Sequence, residues 1–220
     1  MVVLGANGSG KSTLLRCALR LIEPDAGEVI LAGRSVTNAG AGDLREIRKR
    51  AAMVFQQIHL VRRRRALENV CFGALGRMTG WRALATRVFP ADVVEDAWRA
   101  LERVGLAEKA WQRADRLSGG QAQRVAIARA LCQRPSVILA DEPVSSLDPR
   151  AAEDVLTILR DIAVTDGLAV ACVLHQPELA RRYADRIVGM AGGEVVFDTP
   201  PAALAEPAIA RLYLGELDDG

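Results

Sequence analysis

Residues 5–13 read GANGSGKST, a glycine-rich run closed by a lysine and two hydroxyls. Gly5, Gly8 and Gly10 let a backbone turn its N–H groups inward without Cβ clashes. Ala6, Asn7 and Ser9 supply further amides, and Lys11 supplies a cation that can reach the outer phosphates of a nucleotide. The Ser12 hydroxyl suits Mg²⁺, and Thr13 closes the run. The pattern G-x-x-x-x-G-K-[ST] sits between the apolar run Met1–Leu4 and a segment of helical spacing from Lys11. The N-terminus of that helix adds positive potential for an anion.

Two further stretches carry chemistry. Residues 137–142 read VILADE, four apolar residues and then two acids. A buried strand ending in Asp141 sets a carboxylate at the C-terminal edge of a parallel sheet, where ligands bind. Asp141 can hold Mg²⁺ through water, and Glu142 can orient or deprotonate an attacking water. Alone, the pair reads equally well as a helix N-cap with first-turn acids before Pro143. The phosphate loop tips the balance towards catalysis. Residues 117–121, Leu117, Ser118, Gly119, Gly120 and Gln121, precede the helical run AQRVAIARAL. This is a second anion-binding edge and equally a helix capped by Ser118. One site does not need two such edges at opposite ends of a domain. Two copies packed head to tail would use both.

The elements needed to position these groups are legible in the periodicity. Apolar strand patterns occur at Met1–Leu4, Glu28–Leu31, Ala52–Phe55, Val137–Ala140, Ala169–Leu174, Arg186–Met190 and Glu194–Phe197. Helical spacing covers Lys11–Leu21 and Asp43–Arg50 and recurs between the later strands. From about Ala66 to Gln133 strand signals vanish and amphipathic helices dominate. Gly192-Gly193 predicts a hairpin turn between the last two strands. The expected fold is α/β: a mostly parallel sheet of the P-loop nucleotide-hydrolase kind with helices on both faces. A core of 1–65 and 134–220 would carry an inserted all-helical subdomain at about 66–133.

Composition narrows the classes. The chain has 220 residues, half of them hydrophobic and a quarter charged, which excludes disordered, collagenous and disulfide-scaffold proteins. A net charge of +2 gives no argument for nucleic acid as a partner. No apolar run approaches the ~18–20 residues of a bilayer span, and no secretory signal opens the chain. The cysteines at 17, 71, 132 and 172 form no CxxC pair and read as mostly buried thiols. The run Arg62–Arg65 reads as a solvated loop or helix start.

The ordered set of motifs resembles the ATP-binding-cassette family over the whole chain. The set runs from the phosphate loop through a glutamine after MVF, LSGGQ and VILADE to SSLD at 145–148 and a histidine after ACVL. The resemblance implies ATP and Mg²⁺ as ligands, with Ser12, Gln56 and Asp141 around the metal. It implies that Glu142 prepares the water, that Gln56 and His175 register the γ-phosphate, and that Asp148 links two nucleotide sites. Gln57 competes for the glutamine role; Gln56 is preferred because it directly follows the strand. VRRRRALENV at 61–70, FGALGRMTGWRAL at 72–84, ERVGLAEKAWQRADRLSGGQ at 102–121 and the stretch 174–201 look like ATPase subunits of bacterial phosphonate importers. The partners implied are membrane permease subunits, a second copy of the chain and, indirectly, a substrate-binding protein. The place implied is the cytoplasmic face of the bacterial membrane, where the Arg62–Arg65 run could pair with acidic groups of the permease or lipid phosphates. Other transporters of the same fold, a soluble cassette acting on nucleic acid or ribosomes, and a regulatory nucleotide switch are the competing readings.

The family pattern also places an antiparallel strand pair and an adenine-stacking aromatic before the phosphate loop. No aromatic precedes Gly5, and Tyr183 and Tyr213 lie too late in the pattern to replace it. The expectation is that Met1 is a late start and the native chain begins upstream.

Overall fold

A computed structural model describes residues 1–78 and 89–213. The main sheet has six strands in the order β4 (Ala51–Val54), β5 (Val137–Ala140), β6 (Ala169–Val173), β1 (Val2–Leu4), β7 (Ile187–Ala191) and β8 (Glu194–Thr199). All neighbours are parallel except β7 and β8. The β7–β8 turn is the double glycine, with φ of 56° and 86° at Gly192 and Gly193, a conformation open to glycine. Alternate strand residues enter different cores. Leu4, Ile138 and Leu174 pack on one face, and Val3, Leu139 and Val173 on the other. That period of two explains why the strands read as unbroken apolar runs: both faces are covered.

α1 (Lys11–Ala18) follows the glycine loop. It is shorter than its spacing predicts, because Arg20 turns to φ 52° and donates to the carbonyls of Val36 and Ala39. A second sheet, β2 (Ile30–Leu31) against β3 (Arg34–Ser35), is antiparallel. Only its first strand was expected. Arg34–Ser35 carries no apolar alternation, and the pairing comes from the turn at Ala32 and Gly33, where φ is 49° and 75°. α2 (Ala41–Lys49) leads into β4.

Between β4 and β5 lie α3 (Ala66–Cys71), α4 (Ala91–Arg103) and α5 (Gly119–Cys132). No strand occurs there among the described residues. Residues 79–84 of the 72–84 stretch lie outside the description. α4 presents Val93, Ala97, Ala100 and Leu101 to the core. A 3-10 turn, Phe72–Arg77, runs so close to α5 that a Cβ on Gly73 would lie 2.0 Å from the Arg129 carbonyl oxygen. The Asp96 carboxylate of α4 binds Arg77 on one side and Arg134 at 2.9 Å on the other. Burial alone would raise the Asp96 pKa, but the Arg134 and Arg77 guanidiniums hold it below the ordinary value.

The arginine run is a surface loop leading into α3, as its sequence suggests, with Arg62, Arg63 and Arg65 exposed and Arg64 half-buried. Arg65 is the N-cap of α3 and sits 5.2 Å from the Trp111 ring centre, and Arg64 donates to Glu68 at 2.7 Å. α6 (Pro149–Thr165), α7 (Pro177–Tyr183) and α8 (Glu206–Tyr213) complete the chain. Cys71, Cys132 and Cys172 are buried, and Cys17 is partly exposed. Among the described residues no helix is long and apolar enough to cross a membrane.

Three outcomes follow from this packing. Gly73→Ala should lose about 1–3 kcal/mol in urea unfolding, because the obstacle is backbone. Gly42→Ala, in α2 with open space around it, should gain about 0.4–1 kcal/mol. Asp96→Asn should lower the melting temperature at neutral pH. A carboxyl with a depressed folded pKa stabilises above its unfolded value and stops doing so as pH falls through the folded one. The gap between wild type and Asp96→Asn should therefore close in acid melts.

Candidate active site

The glycine loop leaves β1 where space is shortest. A Cβ on Gly5 would lie 2.2 Å from the Met190 carbonyl oxygen and 2.6 Å from Ser9 Oγ. Gly8 and Gly10 hold φ of 77° and 93°, which turns the loop into α1. Lys11 is buried, 4% exposed, with its amine folded back under the loop. It donates to the carbonyls of Gly5 at 2.9 Å and Ala6 at 2.6 Å, and to Ser9 Oγ at 3.4 Å. Gly193 N–H donates to the Ser9 carbonyl at 3.3 Å, docking the β7–β8 hairpin on the loop.

Asp141 stands at the end of β5, buried at 3% exposure. Its Oδ1 accepts from the Ser12 hydroxyl at 2.5 Å, and Arg16 Nη2 lies 3.6 Å from Oδ2. Serine and aspartate oxygens side by side are the hard donors that Mg²⁺ prefers, completed by water and phosphate. Glu142 follows at φ 50°, a left-handed conformation costly for a side chain with Cβ. Its Oε1 lies 2.7 Å from His175 Nε2.

Glu142 and Asn7 stand between two adjoining cavities. One, about 150 Å³, is lined by the loop from Gly8 to Thr13. The other, about 420 Å³, is lined by Ala6, Gln56, His175 and Tyr213. Gln56 therefore shares a cavity with Glu142 and His175, and Gln57 is not among its lining residues.

The LSGGQ segment lies elsewhere. Ser118 caps α5: its hydroxyl accepts from Gln121 N–H at 3.3 Å, and Gln121 Oε1 accepts from Ser118 N–H at 3.1 Å. Gly120 has no room for a Cβ, which would lie 2.9 Å from that of Ala151 on α6. Leu117 packs on the main core. Asp148 caps α6, its Oδ1 accepting from Ala151 N–H at 3.1 Å. Ser118, Gln121, Asp148 and Arg150 line a separate cavity of about 190 Å³ that shares no residue with those at the phosphate loop.

Two site residues escape the sequence reading. Arg16 lies four positions after Ser12 on α1, so helical spacing could have shown it. Tyr213 donates its hydroxyl to the His175 carbonyl at 2.8 Å across 38 residues, a contact with no local signal.

A phosphate loop between β1 and α1, with an acid pair leaving the neighbouring edge of a mostly parallel sheet, defines a P-loop nucleotide hydrolase. The sequence pattern of the ABC transporter family matches residues 1–145, and the chain belongs to that family. A phosphonates import ATP-binding protein of Frankia casuarinae is 53% identical over 214 residues, 97% of this chain and 84% of the relative. One from Thiobacillus denitrificans is 50% identical over 98% of this chain and 82% of its own length. Among solved structures, the ADP conformation of an ABC transporter cassette superposes with a TM-score of 0.83 at 26% identity, covering 97% of this chain and 87% of that one. A dimeric cassette in a post-hydrolysis state with ADP and Pi superposes with a TM-score of 0.77 at 32% identity, covering 92% and 85%.

The strained Glu142 backbone makes a stability test. Glu142→Gly removes the carboxylate and relieves about 1 kcal/mol or more of left-handed strain. It should unfold no earlier than wild type in thermal melts.

Proposed function

We propose that the chain is the ATP-hydrolysing subunit of a bacterial phosphonate importer. In this reading two copies pack head to tail beneath a pair of membrane permease subunits at the cytoplasmic face of the membrane. The observation that carries hydrolysis is the placement of Glu142, paired with His175, at the boundary of the phosphate-loop cavity. The Lys11 amine and the loop amides bind and orient the β- and γ-phosphates. Ser12 and Asp141, with Gln56 from the adjoining cavity, would hold Mg²⁺, which when bound neutralises phosphate charge. Glu142 accepts a proton from the attacking water, and His175 holds that carboxylate in place before contacting the γ-phosphate.

The separation of Ser118–Gln121 from the phosphate loop supports the paired arrangement. Each nucleotide would be covered by the signature of the other copy, with Asp148 at the loop between the two sites. A groove of about 680 Å³ supports a docking place for a permease segment. Phe55 and His59 line it, while Gln56 between them lines the site cavity. One short segment thus touches both, a route by which nucleotide state could reach the membrane. The phosphonate cargo is carried by the relatives' names, and a substrate-binding protein would deliver it. The cassette does not itself contact the cargo.

Glu142→Gln should bind ATP within a few-fold of wild type yet hydrolyse it about 10²-fold or more slowly in a phosphate-release assay. It should also elute as a dimer in ATP. Near-normal turnover would remove Glu142 from the mechanism.

A further inference from the structure

His175 follows β6 and precedes α7, and its carbonyl lies outside the helix ladder. The first bond into α7 runs from Ala180 N–H to Gln176, one residue later. The Tyr213 hydroxyl takes that carbonyl at 2.8 Å. A carbonyl at the edge of a site needs a partner, and here it comes from the last turn of α8.

α8 is itself well held. Leu212 is 2% exposed in the main core, and Tyr213 packs against the same cluster. Arg181 of α7 donates to the Leu204 carbonyl at 3.0 Å and to Glu206 at 2.5 Å, tying α7 to the start of α8. The His175 segment is thus gripped at its main chain by α8 and, just downstream, through α7. Tyr213 also lines the cavity that holds Gln56, Glu142 and His175, so the phenol belongs to the site as well as to the core.

We propose that Tyr213 is a positioning residue for His175: its hydroxyl fixes the His175 main chain and so aims the imidazole at Glu142. The inference rests on the reading of His175 and Glu142 as the hydrolytic pair. Its geometry is independent of the cargo. Burial, with the Glu178 charge adding to it, raises the Tyr213 pKa, so the phenol stays a donor through neutral pH. Tyr213→Phe keeps the ring in the core and deletes only the donor.

The chain has two histidines, His59 and His175, so imidazole ¹⁵N NMR of the full chain reads each directly. In Tyr213→Phe the His175 ring signals should shift or broaden while those of His59 stay in place. ATPase kcat should fall about five- to tenfold with KM within twofold, and the melting temperature should hold within about 2 °C. In a His175→Ala background, Tyr213→Phe should cost no further activity, the non-additivity expected of residues acting through one another. Unmoved His175 signals, unchanged kcat, additive losses, or a shift of both histidines with a lowered melting temperature would each overturn the proposal. If His175→Ala alone leaves turnover intact, the hydrolytic reading of His175 fails instead, and the NMR comparison still reports whether Tyr213 orders the ring.

Discussion

The phosphate edge is organised around a buried cation. Lys11 lies under the loop rather than in solvent, and removing an ammonium from water costs several kcal/mol unless oxygen partners meet it. Gly5 and Ala6 turn their carbonyls down to the amine, and Ser9 adds its hydroxyl. With these carbonyls turned to the amine, the remaining loop amides are left for an anion. The close approach of Gly5 to Met190 sets the height of the curl above β7, and the central place of β1 fixes it against β6 and β7. The Ser12–Asp141 hydrogen bond then ties the first turn of α1 to β5, two strands away in the sheet.

Much of this was legible in the sequence because both faces of the sheet are covered. Val137–Ala140 is apolar at every position, and the structure returns a strand with those bounds. The strand placed the acid pair at the sheet edge, but choosing catalysis over a helix cap also needed the phosphate loop. The double glycine foretold its turn for a local reason, positive φ at both positions. The failures share one cause, contacts distant in sequence or too short to have a period. β3 is two residues long and owes its pairing to a turn. The end of α1 is decided by carbonyls of Val36 and Ala39, which no helical spacing can report. Tyr213 reaches His175 only through the docking of α8.

The arginine run stays at the surface, as a solvated loop and helix start, while its backbone is anchored from inside. Asn69, fully buried, accepts from Val61 N–H at 2.7 Å and donates to the carbonyls of Val61 and Arg65 at 3.2 and 3.0 Å. One uncharged amide thus holds the backbone of the run. The side chains then disperse, Arg64 to Glu68 and Arg65 to the Trp111 face. Arg62 and Arg63, ahead of them, stay exposed.

Asp96 joins three pieces of chain: the end of the 3-10 turn at Arg77, the middle of α4, and the residues just past α5 at Arg134. Next to it, the Gln133 amide donates to the carbonyls of Arg48, Lys49 and Ala51, where α2 passes into β4. A joint of this kind resists shear between its members. The helices between β4 and β5 are thereby tied together at the sheet end of α5, with the LSGGQ segment at its far end. The LSGGQ segment and the Gln133 contact are thus the two ends of one helix, and the sheet grips only the second.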